Sequence, residues 1–280
     1  MKKIKFLALC AIAAGVVTSC QKDEISNEVQ PESSAEVTEL QKQALLDAGV
    51  NPAGAELVTI THPGESPQEY LMSGDILLPT DVKELAKQAL EDAADGFNKQ
   101  YRTSNLVSSN NYNISVIGYT GSGFALTSTM QTALQWAVNN YNRLNIGLNF
   151  TLSYAASTNA DMVVYNNGAS GGGGSAGFPN GGQPHKFIQI NAGTDAFGTN
   201  VVEHVITHEM GHSVGFRHTD YASRQSCGSN QNEGQAGVGA ILIPGTSGSD
   251  TTPSIMLACF GGNEDGEFEN SDITALEFMY

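Results

Sequence analysis

The sequence predicts an α+β fold in which a mixed sheet packs on two long helices, with a small C-terminal subdomain beyond them and a small region ahead of them. Three observations carry this. Strand-like runs surround one helical stripe between about 103 and 190, a second stripe follows at 200–214, and the remainder is loop-rich until a last short helix. A unit of roughly 180 residues is long enough to bury its own core.

Taken in order, residues 1–20 read as an export signal. Lys2, Lys3 and Lys5 precede an apolar run from 6 to 17 that is too short to span a bilayer. The run ends in Val17-Thr18-Ser19-Cys20, which resembles a lipobox, where cleavage before Cys20 leaves its thiol to be lipidated. Gln21-Lys22-Asp23-Glu24 resembles the signal that sends some Gram-negative lipoproteins to the outer surface. The expected location is therefore the outer membrane, lipid-anchored and surface-exposed. The alternative is a plain secreted protein cut nearby.

Residues 21–34 are polar, with Pro31, and read as a flexible tether. A helix is expected near 35–48, ending at Gly49, then short strands at 56–60, 70–72 and 76–78. A second helix is expected at 82–95, where Asp81 and Glu84 offer a capping pair. The region 35–102 is either a pro-segment or a permanent accessory domain.

The main domain, 103–280, begins with a strand at 114–119 and a helix within 128–144 carrying Met130, Leu134, Trp136, Ala137, Val138 and Tyr141. Strands follow at 148–154, 161–165 and 187–190. The Gly-rich stretch 168–182 is no phosphate loop, because no Lys follows it and no helix starts there. It reads as a mobile loop leading to Ala176-Gly177-Phe178-Pro179. Apolar residues at 201, 202, 205, 206, 210 and 214 then form a helix capped by Thr199 or Asn200. The acidic run 263–267 offers oxygens to calcium, but it misses a complete EF-hand loop and reads better as a solvated turn. Ser271 is the expected cap of the last helix, which runs through Ile273, Leu276 and Met279.

The second long helix carries the chemistry. Its end reads His208-Glu209-Met210-Gly211-His212-Ser213-Val214-Gly215-Phe216-Arg217-His218, or H-E-x-x-H-x-x-G-x-x-H. Four residues turn a helix by about 400°, so His208 and His212 share a face and can grip one ion. Gly215 can take positive φ and reverse the chain, which brings His218 to the same ion. Three imidazoles leave a fourth tetrahedral position open, the mark of a catalytic Zn2+ site. Glu209 points beside the metal and suits a group that takes a proton from the attacking water. His204 also lies four residues before His208, but Val205 stands where the carboxylate would be needed, so it reads as a helix-face residue.

This signature resembles that of the metzincin zinc metalloproteases, and Pro253-Ser254-Ile255-Met256 resembles their Met-turn, with Met256 beneath the ligands. Residues 211–220 are most similar to the dual-action HEIGH metallopeptidases, whose usual Ile is Met210 here. The resemblance covers about 100–280 and, more weakly, the region from 70. It implies a zinc endopeptidase acting on peptide or protein substrates, with a sheet edge beside the cleft. No Tyr sits two residues after Met256, so an oxyanion stabiliser other than zinc is unassigned. A non-hydrolytic surface binding lipoprotein that keeps the fold is the alternative, against which an intact Glu209 speaks.

Removing the leader leaves 10 basic against 29 acidic residues, a formal balance of −19. That excludes nucleic acid and anionic lipid surfaces as partners, so any membrane contact runs through the lipid anchor alone. Nothing in the sequence sets an oligomeric state. Once Cys10 leaves and Cys20 is lipidated, Cys227 and Cys259 remain as a plausible disulfide in an oxidising compartment, worth about 3–4 kcal/mol in the chain-entropy model. No Cys lies between 21 and 226, so latency would need a carboxylate such as Asp75, or simple blocking of the cleft.

Overall fold

The computed structural model of the protein describes residues 24–26, 33–47, 52, 54–81, 100–234, 240–246 and 252–280. The leader with Cys20 and the helix expected at 82–95 lie outside the described residues. No described helix is long and apolar enough to cross a membrane.

The main domain is built on a five-stranded mixed sheet. Strands β7 (Asn113–Tyr119), β8 (Asn149–Ala155), β9 (Met162–Asn166), β10 (Gly174–Ser175) and β11 (Phe187–Ile190) lie in the order β10-β11-β9-β7-β8. The β10–β11 pair is antiparallel and the other neighbours are parallel, with β10 and β8 as the two outer strands. Alternation decides which side chains face the helices. Ile114, Val116, Met162, Val164, Ile188 and Ile190 join the main core, while Val163, Tyr165 and Phe187 cluster on the opposite face. All of the main core comes from residues 106–280, so this domain carries its own core.

Two helices cover the inner face. Helix α2 (Ser128–Asn142) starts where the Thr127 side chain accepts a hydrogen bond from Met130 N at 3.1 Å. Trp136 is 41% exposed, because position 136 points away from the stripe formed by Met130, Leu134, Ala137 and Tyr141. Helix α3 (Thr199–Ser213) is buried from Val201 to Ser213. Its cap is Gly198, at φ 87°, and not Thr199 or Asn200; the chain turns sharply there in a conformation that side chains resist.

The N-terminal region is a sheet of β2 (Ser33–Ala35), β3 (Glu56–Ile60), β4 (Gln68–Ser73) and β5 (Ile76–Pro79), in that order, with helix α1 (Glu39–Asp47) between β2 and β3. Helix α1 starts later than expected because Thr38 and Gln41 exchange a capping box, with bonds of 3.2 and 2.9 Å. Leu57, Leu71, Ile76 and Leu78 form one apolar face of this sheet, and Val58, Ile60, Met72 and Leu77 the other.

That sheet docks on the main domain at two places. At the β10 edge, Leu77 N donates to Ala176 O at 3.0 Å and Ala176 N to Asp75 O at 3.2 Å, so β5 runs parallel to the edge. On the outer sheet face, His62 stacks on Phe187 at 4.2 Å and bonds the Tyr165 hydroxyl at 2.9 Å. The parallel strands are thereby covered on both faces.

Two segments differ from their sequence-based assignment. Glu24–Ser26 (β1), within the expected tether, pairs with β13 (Cys259–Gly261), since main-chain pairing to an exposed edge needs no apolar side chains. Gln100 to Arg102, expected in the N-terminal region, belong with the main domain. Strand β6 (Tyr101–Arg102) pairs with β12 (Ile241–Leu242), and the buried Gln100 side chain donates to Asp272 at 2.6 Å and Ser254 at 2.8 Å. Three polar contacts to distant residues leave no local sequence pattern.

The C-terminal subdomain ends in helix α4 (Asn270–Met279). Its cap is Glu269, in a capping box with Asp272, and not Ser271. Asp272 wins because it also accepts from Ser254 Oγ at 2.6 Å and Ile255 N at 2.9 Å, which fastens the turn before Met256 to the helix. In the acidic run, Glu264 accepts from Gly261 N and Asp265 from Glu267 N, while Glu267 pairs with Arg143. Those carboxylates serve the turn itself.

Candidate metal centre

The helix ends as the glycine spacing requires. Gly215 adopts φ 108°, and beyond it Phe216 N bonds back to Gly211 O at 2.9 Å. The reversal brings the third histidine round. His218 Nε2 lies 3.2 Å from His208 Nε2 and 3.1 Å from His212 Nε2. Donors on a tetrahedral ion at about 2.0–2.1 Å stand about 3.3 Å apart, so the imidazoles are spaced as such an ion needs.

Each imidazole is turned by its other nitrogen. His208 Nδ1 donates to Ile255 O at 2.7 Å, His212 Nδ1 to Phe216 O at 2.9 Å, and His218 Nδ1 to the Glu233 carboxylate at 2.8 Å. With the proton held on Nδ1, all three Nε2 lone pairs face one point. This is the property of the residues that fits a metal.

The fourth corner belongs to Asp75. Its Oδ2 lies 3.1 Å from His218 Nε2 and 3.3 Å from His208 Nε2, and its Oδ1 lies 3.9 Å from His212 Nε2. Asp75, His208, His212 and His218 together form a group able to hold a metal ion, all of it buried. Burial works to raise the Asp75 carboxyl, but the three histidines outweigh it and hold it well below the usual carboxylate range. Burial likewise opposes charge on His218, yet Asp75 and Glu233 lift it to about 10. His212 goes the other way, because burial and then the neighbouring His208 and His218 hold it well below its ordinary value.

Glu209 stands outside the group of four, as its position next to His208 requires. It is fully buried, and neither of its oxygens has a hydrogen-bond partner among the described residues. Burial and then the charge of Asp75 push its carboxyl well above its usual value, with His218 opposing. Its carboxylate lies over Gly174 of β10, where an added Cβ would come within 3.0 Å of Glu209 Cγ. The β10 edge and the Glu209 side chain are thus in contact. The Gly-rich stretch before it is packed: a Cβ on Gly193 would meet Ser170 O at 1.9 Å, so this close main-chain approach requires glycine.

Met256 is completely buried beneath α3. A Cβ on Gly211 would lie 2.6 Å from its sulfur, so the small residue inside the motif is what lets the turn sit under the helix. The same turn supplies Ile255 O to His208 and receives Thr219 N at Met256 O, 2.8 Å. A disulfide joins Cys227 to Cys259, with Cα atoms 5.0 Å apart. Beside it, Asp220 accepts from Ala258 N and Ser226 N, binding the loop after His218 to the segment after Met256. His204 packs on Phe260 at 4.2 Å and stacks beside His208 at 6.5 Å without joining the group of four, and burial, then His208, lowers its pKa to about 3.

Sequence reasoning missed Glu233 and Asp272. Glu233 lies 15 residues after His218 in an irregular segment, and it also pairs with Arg224 at 3.4 Å and approaches Arg217 at 3.9 Å. Neither residue has a spacing signal, since each works through a contact that only the folded chain creates.

No curated protein matches this chain. Two solved structures of myroilysin are similar at 14% identity, with TM-scores of 0.36 and 0.37, covering 58% of this chain and 77% and 81% of theirs. Residues 73–280 match the family model described as dual-action HEIGH metallo-peptidase, a span that takes in Asp75, the three histidines, Glu209 and Met256. This chain belongs to the dual-action HEIGH metallopeptidase family.

Proposed function

We propose that the protein is a zinc endopeptidase held latent by its own N-terminal region. The observation that carries this is the convergence of three Nε2 lone pairs, each imidazole fixed through Nδ1, beside the unpartnered carboxylate of Glu209. His208, His212 and His218 would hold the ion, and Asp75 would fill the fourth position until it is withdrawn. Zinc bound there supplies Lewis acidity that polarises the scissile carbonyl and lowers the pKa of water to about 7. Glu209 takes the proton of the attacking water and passes it to the leaving amine. The β10 edge holds the substrate main chain by hydrogen bonds, in the place that β5 occupies now.

The test is cleavage of a mixed peptide library by protein cut within 82–99 and freed of its N-terminal piece, with and without chelator. Chelator-sensitive cleavage supports the reading. Zinc-loaded protein that cleaves no member of the library would hand the site to the binding alternative.

The same reading places the enzyme outside the inner membrane, joined through lipid on Cys20. Growth with a fatty-acid analogue should label the wild type and leave Cys20→Ser unlabelled. Equal labelling of both would remove the anchor.

A further inference from the structure

Phe178 belongs to the main domain, yet its apolar company comes from elsewhere. Val37, Leu57, Leu71, Ile76 and Leu78, which share its buried cluster, all lie in the N-terminal region. On its other side the ring stands edge-on to the imidazole of His212, with centroids 5.5 Å apart, and the Arg217 guanidinium lies 5.4 Å from its centre. The ring therefore lies between His212 and the apolar face of the docked sheet, while Asp75 of that sheet reaches the histidines directly.

The docked segment is a hairpin: Asp75 lies in the turn between β4 and β5, and the chain is extended from Ile76 onward. It forms main-chain bonds to Ala176 on the sheet edge, it places Asp75 among the histidines, and its next residue, Ile76, turns into the Phe178 cluster. Asp75 in the turn reaches the histidines and Ile76, the first residue of β5, reaches the Phe178 cluster, so the two contacts lie one main-chain step apart.

On this basis we propose that Phe178 is a specificity-determining residue, forming an apolar subsite for a substrate side chain that flanks the scissile bond. The inference rests on the peptidase reading above and names its substrate class: peptides with an aliphatic or aromatic residue at one of the two flanking positions. When the N-terminal region leaves, Phe178 loses its cover. An apolar side chain restores that burial, whereas a charged one would be stripped of water against a ring and gain no partner. Arg217 does not supply one, since its guanidinium is engaged by Gly234 O at 2.7 Å and lies near Glu233.

The experiment uses zinc-loaded protein cut within 82–99 and separated from its N-terminal piece, with peptides of one sequence varied at each flanking position. Leu, Ile or Phe at one of these positions should raise kcat/KM by about 10- to 100-fold over Asp, Lys or Ser, the range for one apolar contact. Phe178→Ala should reduce that ratio at least tenfold, while the Ser peptide is cut within a few fold of wild type. Phe178→Leu should keep most of the preference, and zinc content by elemental analysis should match wild type in all three proteins. Equal cleavage of all peptides by the wild type, or an unchanged ratio in Phe178→Ala, overturns the subsite alone. Failure to cut any peptide overturns the subsite together with the peptidase reading.

Discussion

Replacing Glu209 by Ala should leave close to one zinc per chain and lower peptide turnover by about 10²-fold or more, the scale of a positioned acid-base group. Glu209 follows His208 on α3, so its side chain diverges from the ligand face by one helical step and stands beside the group of four. Its oxygens have no hydrogen-bond partner among the described residues, so the substitution removes proton handling and leaves the imidazoles oriented by Ile255, Phe216 and Glu233. His212→Ala removes a ligand and should lose metal and activity together, because two imidazoles hold zinc far more weakly than three. Elemental analysis paired with peptide turnover reads both. Loss of zinc in Glu209→Ala would make it a ligand, and undiminished turnover would end its role as the base.

The uncut protein should be nearly inactive, and cutting within 82–99 with removal of the N-terminal piece should raise its activity at least tenfold, whereas Asp75→Ala alone should not. Removing the Asp75 carboxylate opens the fourth corner, but β5 stays paired on the sheet edge where the substrate main chain would lie. Equal activity of uncut wild type, Asp75→Ala and the cut protein would make the N-terminal region a permanent accessory domain. The docking should also weaken in acid. His62 is buried against the outer sheet face, where Tyr165 and Tyr70 each lie 2.9 Å from a ring nitrogen.

Tyr70 also donates to Gln68, so His62 Nε2 donates to Tyr70 and Nδ1 accepts from Tyr165. A second proton on Nδ1 would meet the Tyr165 hydroxyl proton. His185, just ahead of β11, is the ionisable neighbour that acts on this ring, while Glu65 acts on Tyr70 and Tyr165 and Lys186 lies over Phe187. Burial, then the neighbouring His185, lowers the His62 pKa to about 4 from its ordinary 6.5. The docked pKa is the lower one, so this stability is complete above 6.5 and drains away as pH falls toward 4. The loss amounts to roughly a hundredfold in the docking equilibrium, or about 3 kcal/mol. Hydrogen exchange of the β11 amides, corrected for intrinsic rates, should rise more steeply with acid in wild type than in His62→Gln, and equal slopes would exclude His62.

Much of this was legible along the chain. Helical spacing places His208 and His212 one turn apart wherever the helix sits, and the strands at 56–60 and 187–190 follow from short apolar runs. The disulfide partners could be named by elimination, whereas Asp75 was only one example of a latency carboxylate beside simple blocking of the cleft, since no Cys lies between 21 and 226. Helix starts were less legible. Gly198 caps α3 and Glu269 caps α4 although Thr199 and Ser271 stood in suitable places, because the cap is chosen by chain direction and by Asp272's outside contacts.

The sequence by itself determined the ligand types, their spacing, the carboxylate beside them and the glycine that turns the chain, since all of these act within one or two helical turns. Only the tertiary structure decided which nitrogen of each imidazole faces the centre, because Ile255 and Glu233 reach it from 47 and 15 residues away. It also decided that Asp75, 143 residues before His218, completes the tetrahedron, and that Ile76 lies against Phe178. The physical reason is reach. Periodicity records what one element does to itself, whereas a fourth corner or an apolar wall is made by two elements meeting, and no local pattern encodes the partner.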